Sequence, residues 1–265
     1  MDPSPPLDDP TAKASMTRRH EEILSLLRRR GFVSIGRLAD SFKVSEQTVR
    51  RDLKSLEALG LVTKYHGGAG LPQGNAQLVY ENRKGRFAEE KRRIAQAVAA
   101  QIPENATVFI DIGTTMEAVA ESLLDHRHLT VITNHLSVAL ILSRRPEFQI
   151  LVAGGILRHN DYATTGEATR AFLERFRVGY GIFGIGAINA DGDLLDYDYR
   201  DIDVSTTAMR ISRRKIIALD HSKFGAEGVT RVGSVADVDA VYTDRPPPAE
   251  IAAYLEQHGV RLHVA

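Results

Sequence analysis

The chain of 265 residues contains no cysteine. That excludes disulfides and thiolate metal sites, and it fits a cytoplasmic protein. No apolar run approaches the roughly 18 residues needed to cross a bilayer, so no membrane partner is expected. Residues 1–15 lack the apolar core of a signal peptide; rich in Pro and Asp, they read as a disordered tail. Neither sign of charge prevails, with 34 basic and 34 acidic residues, which excludes a uniformly basic surface. The histidines, among them His20, His126, His128, His135, His159 and His221, show no metal-ligand spacing and read as surface or packing residues. No Ser-His-Asp or paired-carboxylate arrangement can be assembled. No catalytic residue, metal or cofactor is therefore expected.

Hydrophobic residues make up 43% and charged residues 26% of the chain, the balance of a globular protein, and the length suits two domains. The charge is unevenly spread. Residues 16–66 hold eleven Lys/Arg against six Asp/Glu, an excess of five positive charges, so the remainder carries five negative. A basic head on a mildly acidic body fits a protein that meets phosphate at one end.

The head reads as three helices and a hairpin. Ile23, Leu24, Leu26 and Leu27 give an apolar stripe over about Thr17 to Arg30, with Gly31 placed as a C-cap. Phe32-Val33-Ser34-Ile35 is a short extended link, and Ser34 caps a second helix over Ile35 to Phe42. Lys43-Val44 makes a turn, and Ser45 caps a third helix that stops at Gly60. Val49, Leu53 and Leu56 share one face of that helix. Gln47, Thr48, Arg50 and Arg51 lie off it in the first two turns, which face bases in a helix-turn-helix. Arg pairs bidentately with guanine and Gln with adenine, while an Arg on phosphate positions without reading sequence. Leu61–Ala69 reads as a wing, two short strands around a turn, with Lys64 and His66 near the duplex backbone. The expected DNA contacts are Ser45, Gln47, Thr48, Arg50, Arg51, Lys54, Lys64 and His66. A charge-rich amphipathic helix alone reads better as a solvated face; it is the whole set of features that favours DNA.

Residues 70–86, with Gly70, Pro72, Gly74 and Asn75 and then Arg83, Lys84 and Arg86, read as a linker. A helix over about Ala88 to Gln101 turns Ile94, Ala97, Val98 and Ala100-Gln101 to a core; Lys91, Arg92 and Arg93 could touch DNA, another subunit or water, and a charge run reads first as a solvated face. Beyond it, apolar strands at Thr107–Ile112, Leu129–Thr133, Phe148–Ala153, Tyr180–Ile185, Lys215–Leu219, Ala240–Tyr242 and Val260–Val264 alternate with helical stretches such as Met116–Leu124, Leu136–Arg144 and Thr169–Phe176. That pattern predicts a mostly parallel α/β sheet covered on both faces. Ligands of such sheets bind at the carboxyl ends of the strands. Those ends carry Asp111, Gly113, Thr114 and Thr115; Thr133 and Asn134; Gly154 and Gly155; Gly184; and Asp220 and Lys223. A Gly-Thr-Thr turn opening a helix aims N–H groups and hydroxyls at phosphate, Lys223 adds a charge, and Asp111, Asn134, Asp201 and Asp220 suit hydroxyls. The set suits a small phosphorylated polyol, although each glycine or Asp taken singly reads better as a turn or cap residue.

Two sets of residues carry a family resemblance. Val44-Ser45-x-Gln47-Thr48-Val49-Arg50-Arg51-Asp52-Leu53 and Tyr65-His66-Gly67-Gly68-Ala69 resemble the DNA-binding signature of the DeoR family of bacterial transcription regulators. Glu90-Lys91-x-x-Ile94-Ala95, Asp111-x-Gly113-Thr114-Thr115, Thr133-Asn134, Gly154-Gly155 and Asp220-His221-Ser222-Lys223-Phe224-Gly225 are similar to that family's sensor domain. The resemblance implies a sensor with the fold of ribose-5-phosphate isomerase that binds phosphorylated sugars or polyols. Phe109–Ala120, Leu194-Leu195-x-x-Asp198-Tyr199 and Val241–Pro248 resemble the branch that answers to glycerol 3-phosphate. The chain departs from the family at Asp201–Thr207, where members commonly carry Glu followed by Lys or Arg.

The expected organisation is a tail (1–15), a winged helix-turn-helix (16–72), a linker (73–87) and a phosphometabolite sensor (88–265). The expected function is a repressor that binds double-stranded operator DNA as a homodimer or homotetramer and releases it when the effector binds. The alternatives are an isomerase-like enzyme with a DNA-binding head, and a regulator answering to another phosphosugar.

Overall fold

The computed structural model describes residues 16–30, 32–65, 67–70, 80, 83–159, 161–196, 202–226, 228 and 230–265. The expected tail, residues 73–79, 81 and 82 of the expected linker, His66 and Asp201 lie outside the described residues. The chain divides into two compact units, residues 1–82 and 83–265.

In the first unit α1 (Arg18–Arg30), α2 (Ile35–Phe42) and α3 (Glu46–Ala58) follow one another. Their limits come from local chemistry. The Ser34 hydroxyl accepts from the Arg37 N–H and starts α2, satisfying a donor that has no partner inside the helix. Lys43 ends it in the left-handed region at φ 52°. Ser45 starts α3 by accepting from the Thr48 N–H at 3.2 Å, and Gly60, at φ 68°, turns the chain out of it. Val49, Leu53 and Leu56 form the buried face of α3, against Ile23, Leu27 and Leu38. β2 (Thr63–Tyr65) and β3 (Gly68–Gly70) pair antiparallel as the wing. The segment expected as a link is in fact a third strand, β1 (Phe32–Ser34), which pairs with the other side of β3. Its backbone groups need partners, and β3 supplies them.

The second unit is built on seven strands that all run parallel: β4 (Thr107–Ile110), β5 (Thr130–Thr133), β6 (Gln149–Val152), β9 (Val178–Phe183), β12 (Ser212–Ala218), β14 (Ala240–Thr243) and β15 (Arg261–Val264). Their order across the sheet is β15-β14-β12-β9-β4-β5-β6. Each corresponds to one of the seven expected strands, with no end moved by more than three residues. Side chains alternate between faces. Val108 and Ile110 enter one core with α4 (Ala88–Ala99), α5 (Thr114–Ser122) and α6 (Leu136–Leu142). Phe109 enters another with α8 (Ile202–Ile211) and α9 (Ala249–Gln257). The remaining helix, α7 (Glu167–Leu173), follows a two-stranded ribbon of β7 (Ile156–Leu157) and β8 (Thr164–Thr165). A second antiparallel sheet joins β10 (Ala187–Ile188), β11 (Asp193–Asp196) and β13 (Thr230–Ser234). Neither small sheet was expected, because strands of two to five residues mixed with polar positions carry no periodic signal.

One helix face differs from expectation. Ile94, Ala95, Val98 and Ala99 are the buried positions of α4, whereas Ala97 is half-buried and Ala100 is exposed. Lys91 lies on that same buried face, 5% exposed, and not in water as expected. Its spacing of three, four and seven to Ile94, Ala95 and Val98 puts it there.

Candidate functional site

The head presents one polar face. Gln47, Arg50, Arg51 and Lys54 are exposed on α3. The Ser45 and Thr48 hydroxyls lie 2.9 Å apart, bound into the cap. Arg50 bonds Glu46 at 3.0 Å across one turn, with both partners more than half exposed, a pair worth a few tenths of a kcal/mol. Gln47, Arg51 and Lys54 have no side-chain partner among the described residues. Lys64 is held by Glu57 at 2.8 Å, and this hydrogen bond keeps the Glu57 carboxyl below its usual range.

The opposite face of α3 carries a contact that sequence reading missed. Arg19 donates to both oxygens of Asp52, at 2.6 and 3.0 Å, and the His20 ring lies 3.4 Å from the same carboxylate. Burial pushes the Asp52 carboxyl up, but the Arg19 fork and its charge outweigh that and leave it below the usual value. This clamp fixes α3 against α1, so Gln47, Arg50, Arg51 and Lys54 project from a held helix.

The expected effector residues follow β4, β5, β6, β9 and β12, five consecutive neighbours in the sheet. Strands are about 4.8 Å apart, so five of them span roughly 19 Å, more than one small polyol phosphate reaches. The strand order selects among them. From β4 the chain proceeds outward through β5 and β6, then returns to the other side of β4 as β9. The ends of β4 and β9 thus flank the topological switch point, where open α/β sheets bind ligands. Asp111, buried below that crevice, donates its N–H to the Ile182 carbonyl. Gly113, at φ 115°, caps α5 in a conformation that L side chains rarely adopt. Thr114 and Thr115 open the helix. Gly184 is required by close approach, since a Cβ there would lie 2.7 Å from the Ile112 carbonyl oxygen.

Farther out, several expected residues are occupied by the fold. The Thr133 hydroxyl donates to the Ile110 carbonyl and accepts from the His135 N–H. The Asn134 amide donates to the Thr164 carbonyl at 3.2 Å, while its buried Oδ1 has no partner among the described residues. Gly154 accepts at its carbonyl from the Thr169 hydroxyl. A Cβ on Gly155 would meet that hydroxyl at 2.1 Å, so packing requires this glycine. Asp220 caps a single turn, His221–Lys223, by accepting from the Ser222 N–H.

The structure gives partners to residues that were not expected at the site. Lys91 Nζ donates to the carbonyls of Arg83 and Arg86. Its pKa is lowered to about 8, chiefly by burial; Asp220 opposes the shift and the cations Lys223, Arg83 and Arg86 add to it. Lys91, Asp220 and Lys223 therefore share one neighbourhood. Lys84 pairs at 2.9 Å with Glu117, a buried carboxylate in the first turn of α5. His221 bonds Asp244 through its N–H and its ring, at 2.6 and 2.7 Å. His135, deeply buried, has its pKa lowered by burial, opposed by Glu117 and Asp161. The one available sequence signal was the helical spacing of Lys91 to Ile94, Ala95 and Val98. Glu117 and Asp244 gave none, because their partners stand 33 and 23 residues away. Among the described residues no group of His, Cys, Asp or Glu can hold a metal ion, and no helix is long and apolar enough to cross a membrane.

Known proteins resemble both units. Residues 19–74 match the model of the DeoR-like helix-turn-helix domain, and residues 86–245 that of the DeoR C terminal sensor domain. The chain is 44% identical over 248 residues to the glycerol-3-phosphate regulon repressor of Escherichia coli (strain K12), covering 94% of this chain and 98% of that protein. It is 41% identical over 244 residues to the HTH-type transcriptional repressor CsqR of the same organism, covering 92% and 94%. Among solved structures, ribose 5 phosphate isomerase A from Neisseria gonorrhoeae aligns with 51% of this chain and 52% of its own, at a TM-score of 0.37 and 18% identity.

Proposed function

The chain belongs to the DeoR family of transcriptional regulators, and from that premise we propose that it represses transcription until glycerol 3-phosphate binds its sensor domain and releases the operator. It is a regulator and not an enzyme, as its full-length relatives are named transcriptional repressors. The observation that carries the effector class is the Gly113-Thr114-Thr115 turn. It lies at the switch point, and the Lys91 ammonium feels Asp220 and Lys223, which follow β12, the strand next to β9. A helix N-terminus with cations beside it takes a phosphate dianion, and the buried carboxylates Asp111 and Asp220 suit hydroxyls. The relatives named for the glycerol-3-phosphate regulon, 44% identical in one case and 43% in another, support this effector over others.

In this reading Gln47, Arg50, Arg51 and Lys54 face the DNA groove, with Ser45, Thr48, Lys64 and His66 along the backbone. One winged module covers too little DNA for high specificity, so the protein works as a homodimer or homotetramer on repeated half-sites, in the cytoplasm. Effector control requires the ligand to favour the state with low DNA affinity, with a coupling of about 1–3 kcal/mol. A gel shift on the DNA upstream of the protein's own gene, with and without a panel of phosphorylated polyols and sugars, tests it. Release by glycerol 3-phosphate alone is expected; release by a hexose phosphate instead identifies a different effector. The departure at Asp201–Thr207, where the basic residues common in the family are missing, is the feature that would weaken effector binding or give that second outcome. Residues 202–207 begin α8, with the Thr206 hydroxyl donating back to the Ile202 carbonyl.

A further inference from the structure

Residues 83–91 are the stretch through which the chain passes from the winged module into the sensor; two contacts tie them to the strand ends and a third braces them from within. Lys84 reaches Glu117 at 2.9 Å; the carboxylate is 5% exposed and the lysine 56%. The Phe87 ring stands edge-on to His221 at 4.7 Å, and Asp244 fixes His221. Lys91 holds the turn from beneath through the carbonyls of Arg83 and Arg86. Phe87 itself is left-handed, at φ 55°, a conformation a bulky residue keeps only where its surroundings impose it. A segment pinned in this way follows the loops that pin it.

Glu117 occupies the same helix turn that would receive a phosphate. Two anions compete there for one positive helix end and for one flexible ammonium. We propose that the Lys84–Glu117 ion pair is a latch: closed, it holds residues 83–91 in the arrangement that suits operator binding, and an anionic effector at the Gly113 turn opens it by drawing Lys84 away from Glu117. This rests on the reading that the switch point binds a phosphorylated effector. The latch has a reciprocal consequence. Whatever the effector must break, its removal in advance shifts the balance toward the effector-binding state, so it strengthens effector binding and weakens operator binding.

The test uses the full chain and two variants, Glu117→Gln and Lys84→Ala. Without any effector, both variants bind operator at least fivefold more weakly than wild type, and backbone hydrogen exchange over residues 84–91 speeds up. By calorimetry, Glu117→Gln binds glycerol 3-phosphate, and inorganic phosphate as a simpler probe, at least fivefold more tightly. Operator affinities within twofold of wild type in both variants overturn the latch. So does a loss in Lys84→Ala alone, which makes Lys84 an ordinary DNA contact. A wild-type protein that binds neither ligand removes the effector reading instead, and the latch is then decided by the operator and exchange measurements.

Discussion

The two units of this protein arrange stability and chemistry differently. In the head they occupy opposite faces of one helix: Val49, Leu53 and Leu56 hold α3 down, Asp52 clamps it to Arg19, and Arg51 and Gln47 project from it without partners among the described residues. In the sensor the residues expected to meet the effector also hold the fold. Thr133, Asp220 and Gly155 lie at strand ends where a ligand could be met, and each is already committed to a backbone contact or a tight packing site. The head's recognition residues can therefore vary at little cost to its fold, while the sensor's cannot. A family built this way can change its DNA address more readily than its signal.

The largest test of that contrast is Leu53→Ala. Removing a fully buried leucine costs about 2–5 kcal/mol, a large share of the stability of a module of this size. Calorimetry should show the head melting separately at lower temperature, with the sensor transition unmoved; a common shift of both would mean that the units do not melt independently. Next is Arg51→Ala. One lost bidentate base contact, at about 1–3 kcal/mol, should weaken operator binding roughly ten- to a hundredfold in a gel shift without lowering the melting temperature. Unchanged affinity would remove α3 from the DNA groove. For the sensor, Lys223→Ala should blunt the effector response about tenfold, as expected for one hydrogen bond to a charged group, while operator affinity without effector stays close to wild type. Here the melting temperature should also move, unlike in Arg51→Ala.

The smallest effect separates the units by pH. The Lys91 ammonium loses its proton near pH 8 in the folded sensor, but near 10.4 when unfolded. Between these values the unfolded chain holds the extra proton, so raising the pH favours folding. The sensor transition should rise by a few degrees from pH 8 to 10, and Lys91→Met should abolish the rise. In acid the order is set by other groups. His135, with its pKa lowered by burial, costs the sensor stability as pH falls below about 6.5. Asp52, held below its usual range despite burial, stabilises the head above about pH 3.9 and loses that contribution as pH falls through its lower folded value.

Much of this was legible beforehand, for identifiable reasons. The caps at Ser34 and Ser45 are local, needing only the next three residues. The seven parallel strands announced themselves because a strand buried on both faces is a continuous apolar run. What sequence could not supply was adjacency. Nothing in Phe32–Ser34 says that β3 lies beside it, and nothing near Gly184 says that its neighbour is Ile112. Arg19 and Asp52, or Lys84 and Glu117, are each 33 residues apart, beyond any periodicity. The strand order had the same status, and it is the strand order that singles out one crevice among five polar strand ends.

That crevice also has a place in time. Its walls end at residues 110 and 183, and the strand bearing Asp220 and Lys223 ends later still, at 218. The head's pairings all fall within residues 32–70. Synthesis runs from the N-terminus, and domains fold as units as they emerge. On each new chain the strands of the head are thus able to pair before those flanking the crevice have been joined. For that interval, on every chain made, one unit has its fold and the other does not.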